Sequence, residues 1–270
     1  MRRRRSLRHP PPSALPMAQR FVLARAMRVG THIAAAAWLL VGTAAVAQER
    51  LAPVRHSDEP HLAAYEGDLQ RVFAEAFRPE VMLRAIVRPS FQLEYAVGLR
   101  QRGQRYELFS LKPSQQIWQY QLLAMLRSGQ MRVGIVRGPD MSGPMRDGAQ
   151  DEIRRMQRHL PRDPARLPLS RCTIAVDGTL ATALRAAWRT MLEEVRPGDA
   201  LEAGADGVSY QFSMELEDRP FSGETWSPRG ETRPARLARL AEAMRDYCET
   251  RQAAKLAELT RLAASLAAPR

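Results

Sequence analysis

Hydrophobic positions recur along this chain in two periods, and the switches between them outline its elements. Leu62, Tyr65, Leu69, Val72, Phe73 and Phe77 return every three or four residues, which predicts a helix over 61–76, stopped ahead of Pro79. Phe91, Leu93, Tyr95, Val97 and Leu99 then alternate with polar or small residues, the period of a half-buried strand. A Gln101-Arg102-Gly103-Gln104 turn leads into a second strand at 106–111, so a β-hairpin is expected, with 81–87 as a candidate third strand. Ser114 is the expected cap of a helix with Ile117, Trp118, Leu122, Met125 and Leu126 on its apolar stripe, ended at Gly129. Beyond it the pattern weakens. It suggests a short strand at 131–136, a Gly/Pro/Asp loop at 138–148, a helix at 151–159 and irregular chain at 161–168.

The second half is clearer. A short strand is expected at 172–176, and Asp177 is placed to cap a helix over 180–195 carrying Leu180, Leu184, Trp188 and Leu192. After the Asp206-Gly207 turn signal, Val208, Tyr210, Phe212 and Met214 alternate strictly with Ser209, Gln211, Ser213 and Glu215. The return strand is expected at 221–226. A long Ala/Leu/Arg helix follows over about 234–266, with Pro234 in its first turn and a break near Thr250. Hairpins outnumber crossover units, so the predicted class is α+β: a small antiparallel sheet packed by helices, with a long C-terminal helix. Each half has a strand–turn–strand and then a helix, so the folded part could divide into 61–136 and 171–270.

The first fifty residues follow another logic. An apolar run of fifteen, 33–47, ends in Ala45-Val46-Ala47, and eight arginines precede it with no acid. A basic start, a short apolar stretch and small residues at the exit predict a secretory signal peptide with a leader (1–47), cut between Ala47 and Gln48. Met17 and Met27 are alternative starts. Fifteen residues fall short of the ~20 needed to span a bilayer, and no Cys follows the junction to carry a lipid. The expected location is the periplasm or the exterior, with no stable membrane anchor. Residues 48–60, with Pro53 and Pro60, are expected to form a flexible arm ahead of one α+β domain at 61–270.

That division changes the meaning of the charge. The 270-residue chain carries 41 basic and 29 acidic residues, a net +12 that invites a nucleic-acid reading. Residues 1–47 hold +8 of it, and 48–270 are close to balanced at +4. Nucleic acid is therefore not an expected partner. Arg100, Arg102 and Arg105 beside Tyr106, and Arg233, Arg236, Arg239 and Arg245 in the last helix, are expected to be solvated and partly neutralised. Cys172 and Cys248 are the only cysteines; in an oxidising compartment they are expected to pair.

Catalytic signatures are missing. No GxSxG, phosphate-binding loop, dinucleotide fingerprint or HExxH occurs. His56, Asp58 and His61 lie close together, but in the arm; Asp140, Asp147, Asp151 and Glu152 do not follow a calcium-loop spacing. Ser227 lacks elbow glycines and an evident base. Neither a metal nor another cofactor is expected. The segments Asp206-Gly207-Val208-Ser209-Tyr210-Gln211-Phe212-Ser213 and Gly223-Glu224-Thr225-Trp226-Ser227-Pro228-Arg229-Gly230, with the helix ending in Tyr247-Cys248, resemble uncharacterised secreted proteins of Gram-negative bacteria. The resemblance implies export and a shared C-terminal module, and no activity. The expectation is a non-catalytic binding or protein-interaction protein whose partner is another envelope or secreted protein, with Glu224, Trp226 and Arg229 as its binding edge. The alternative is a periplasmic hydrolase with a site assembled from distant residues.

Overall fold

Six strands build one antiparallel sheet in the order β4-β3-β2-β1-β5-β6. They are β1 (Val81–Pro89), β2 (Tyr95–Arg102), β3 (Arg105–Pro113), β4 (Leu169–Val176), β5 (Val208–Leu216) and β6 (Arg219–Trp226). The computed structural model describes residues 49–130, 148–196, 206–216 and 219–268. The expected signal peptide and leader (1–47), the expected cut between Ala47 and Gln48, the strand expected at 131–136, Asp140 and Asp147 lie outside the described residues. The sheet runs through both expected halves, since β1 pairs with β5 and β3 with β4. The class is α+β.

Helices cover the sheet on two sides. On one, α4 (Gly178–Glu193), α5 (Arg233–Thr250) and α6 (Ala253–Ala267) bury Leu83, Ala85, Val87, Tyr95, Val97, Leu99, Leu108, Phe212 and Met214. Trp188 of α4 meets Phe212 edge-on at 5.7 Å. On the other, α1 (Pro60–Val72), α2 (Trp118–Arg127) and α3 (Gly148–His159) cover Val81, Ile86, Ala96, Phe109 and Leu111. A 3₁₀ turn, Ala74–Phe77, extends α1 where one long helix was expected.

Local chemistry explains most boundaries. Asp177 caps α4 by accepting the Leu180 N–H at 2.7 Å, and Thr232 caps α5 through the Ala235 N–H. The C-terminal helix breaks where expected: Arg251 adopts a left-handed conformation (φ 57°) and separates α5 from α6. Cys172 and Cys248 form a disulfide, with Cα atoms 5.9 Å apart, that ties β4 to α5.

Two expectations need correction. Ser114 does not cap α2. Its place is taken by the carboxylate of Glu94, 1% exposed, whose Oε2 accepts Ile117 N–H (2.9 Å) and whose Oε1 accepts Trp118 N–H (3.0 Å) and Tyr65 O–H (2.8 Å). A buried anion at a helix N-terminus suits the unpaired N–H groups there. Phe91 and Leu93 are not part of a strand. Phe91 is 78% exposed in the β1–β2 connection, and β2 begins at Tyr95. Covered on both faces, β2 is buried from Tyr95 to Arg100, so its own pattern is continuous burial and not alternation.

Among the described residues, no helix is long and apolar enough to cross a membrane.

Candidate functional site

Strands β1, β5 and β6 present opposite chemistry on their two sides. Cross-strand register places Ala85 beside Phe212 and Phe212 beside Gly223 on the dry side. One residue along, it sets three rows on the other side, polar except for Ile86, which packs in the second core layer. These are Arg84–Ser213–Ser222, Ile86–Gln211–Glu224 and Arg88–Ser209–Trp226. The period of a strand forces this division, since neighbouring side chains point to opposite faces. Ser209, Gln211, Ser213 and Trp226 are half-buried and Ser222 is exposed.

The charges on this face are held in place. Arg84 lies with its guanidinium carbon 4.3 Å from the centre of the Phe77 ring, and burial pulls it down from its ordinary pKa. Arg88 donates through Nη2 to Ser209 Oγ at 2.9 Å and stands 3.9 Å from Glu224 Oε2, while its Nε is buried with no partner among the described residues. Glu224 is 5% exposed. Burial raises its carboxyl above the ordinary value, an effect opposed by the Arg55 N–H and the charges of Arg88 and Arg55.

A strap supplies that burial. Leu51 and Ala52 are fully buried, and Ala52 exchanges backbone hydrogen bonds with Glu224 across the β6 edge at 2.9 and 2.7 Å. Arg55 N–H then reaches Glu224 Oε1 at 3.3 Å, and His56 Nδ1 meets Glu66 Oε2 of α1 at 3.1 Å. The segment expected to be a flexible arm is thus pinned at four successive points. Gly223 makes room for it: a Cβ there would stand 2.8 Å from Val195 Cγ2 and 3.0 Å from Leu51 Cβ. Gly207 similarly admits the Trp226 ring, which would lie 2.5 Å from an added Cβ. Ser227 follows in a left-handed conformation (φ 40°), with its Oγ accepting Val208 N–H at 2.9 Å.

Of the three residues expected at a binding edge, Glu224 and Trp226 share this face of β6. Arg229 stands exposed beyond the strand end, where its carbonyl accepts from Thr232 Oγ1. Arg84, Arg88, Ser209, Gln211 and Ser213 were not singled out beforehand. Their signal was present in the sequence, as the polar partners of the apolar alternation in β1 and β5.

The other clusters do not converge. His56 pairs with Glu66 and His61 with Gln130, and among the described residues no three His, Cys, Asp or Glu side chains could hold one metal ion. Asp151 pairs with Arg154. Arg100 is 7% exposed and turned onto Glu107, Arg102 faces Glu80, Arg233 pairs with Glu194, and Arg239 with Glu231. A cavity of about 550 Å³ lies between α2 and the chain after α3, lined by Tyr120, Leu123, Arg127, Gln157, Leu160 and Arg162. Its lining offers no carboxylate, imidazole or thiol for proton transfer or nucleophilic attack.

No protein-family model, curated protein or solved structure matches the chain.

Proposed function

We propose that this is an exported, non-catalytic binding protein that engages another envelope or secreted protein through the polar face of β1, β5 and β6. The observation that carries this reading is the nearly buried Glu224–Arg88 pair, set among half-buried Ser209, Gln211, Ser213 and Trp226 on the side of the sheet where Ile86 packs in the second core layer. A solvated sheet face needs only exposed polar side chains. Partly desolvated charges are costly to hold, and such groups concentrate at sites of function. The half-exposed Trp226 ring adds an anchor of the type that dominates protein interfaces.

Hydrolysis is the less supported reading. It needs convergent acid, base or nucleophile groups in a cleft, and the cavity by α2 has none. Export rests on the basic, apolar and small-residue order of 1–47.

Affinity capture from the periplasm with the tagged protein tests the reading. A discrete partner held by the wild type and lost with Trp226→Ala or Gln211→Ala supports it. Equal capture by wild type and both variants contradicts it.

A further inference from the structure

The two edges of the sheet are treated differently. The β6 edge is guarded: Pro220 removes a donor, and the strap occupies Glu224. Among the described residues the β4 edge has neither a proline nor a paired strap. Its eight residues pair with β3 from Leu169 to Val176 in unbroken register, with no bulge, and among the described residues nothing pairs with its outer side. It contains neither Pro nor Lys. Its one charge, Arg171, is turned back, with Nε donating to Glu75 at 2.7 Å and Nη1 to the carbonyl of Leu169, two residues earlier in the same strand. The Cys172–Cys248 disulfide holds the middle of the strand to α5. An exposed, regular, unguarded strand edge is a template for another strand.

We propose that β4 is a self-pairing surface through which two copies of this chain join their sheets antiparallel, with Thr173 opposite the partner's Thr173. The sequence of β4 complements itself in this register. Arg171 falls opposite the partner's Ala175, so each long cation meets a methyl group. The two guanidinium groups are then about four residues apart along the strand, roughly 13 Å. Thr173, Ala175 and Ser170 are exposed and small enough for close approach. Thr–Thr is a favourable cross-strand pair. On the other side of the strand, half-buried Ile174 and Val176 gain cover from the partner's Cys172 and Ser170. The polar face of β1, β5 and β6 lies at the far end of the sheet, so pairing through β4 leaves it open in both copies.

Sedimentation of the exported protein over a concentration series, with register-specific cross-linking, tests this. The wild type is expected to sediment as a concentration-dependent dimer. Ala175→Lys, a charged guard at an exposed edge position, is expected to weaken it on the order of tenfold. Residues facing each other across strands have Cβ atoms about 4.5–5.5 Å apart, and cysteines that close can bridge. Thr173→Cys is therefore expected to give a disulfide-linked dimer on a non-reducing gel. Ala175→Cys stays unlinked, and Arg171→Cys combined with Ala175→Cys links. A monomer at every concentration overturns the proposal, as does cross-linking of Ala175→Cys as efficient as that of Thr173→Cys. Thermal melting of each variant separates loss of pairing from loss of fold.

Discussion

Replacing Glu94 is the sharpest test of how the second core layer is held. Its two oxygens satisfy three donors: the Tyr65 hydroxyl and the N–H groups of Ile117 and Trp118. All lie in a region where Glu94 is 1% exposed and Ile117 fully buried. Leaving a buried donor unpaired costs about 1–3 kcal/mol, so Glu94→Ala strands three such groups and should destabilise by about 4 kcal/mol once partial water entry is allowed. Glu94→Gln keeps one acceptor oxygen but turns an amide donor toward a backbone donor and removes the charge at the start of α2; about 2 kcal/mol is expected.

Urea unfolding at neutral pH with the disulfide intact measures both. A cycle with Tyr65→Phe separates the acceptor from packing. Alone, Tyr65→Phe loses one hydrogen bond, about 1 kcal/mol. In the Glu94→Ala background it removes an orphaned hydroxyl and should be neutral or stabilising. The Tyr65–Trp118 edge contact at 5.0 Å is kept throughout. If Glu94→Gln unfolds within about 0.5 kcal/mol of the wild type, Glu94 is not the cap of α2, and if the Tyr65→Phe and Glu94→Ala losses simply add, Tyr65 and Glu94 are not hydrogen-bonded.

Three further outcomes follow from the geometry. Substituting both Cys172 and Cys248 by Ala opens a loop of 76 residues and should lower unfolding free energy by about 4 kcal/mol, read by calorimetry or denaturant. Leu51→Ala, at a fully buried position, should cost about 2–4 kcal/mol and speed proteolysis near 50–56; a cost near zero would show the strap unseated in solution. Because burial raises Glu224 above its ordinary 4.5, the folded state binds the extra proton between that value and the raised one. Its contribution to stability therefore grows as pH falls from neutrality through the raised pKa, and is complete below the ordinary value. The melting temperature of Glu224→Gln minus that of the wild type should fall as pH is lowered from 7 toward 4. A difference that rises instead reverses the sign.

The elements that announced themselves carried their signal locally. Strict alternation marked β5, a side-chain cap marked the start of α4, and two cysteines in a chain expected to be exported marked the disulfide. What stayed hidden depended on partners distant in sequence. Because α5 and α1 cover opposite faces of β2, its residues lose alternation, and the spacing of Phe91, Leu93 and Tyr95 shifted the expected strand toward an exposed loop. Glu94 reads as one more polar residue until the fold carries it 23 positions along the chain to Ile117. Leu51 looked like part of a polar arm because its packing against Gly223 depends on a strand 172 residues away. The polar face is intermediate: each strand showed its polar half, but only the β1–β5–β6 register stacks Arg88, Ser209 and Trp226 in one row.

The central claim is that the polar face of β1, β5 and β6 meets a partner. Site-specific photo-crosslinking in cells tests it most directly, with the reactive residue introduced at Gln211, Ser213 or, as a control on the opposite helical layer, exposed Thr260 of α6. A discrete adduct from positions 211 and 213 that is absent at 260 is the predicted result. No adduct from the sheet face, or the same adduct from all three positions, would contradict it.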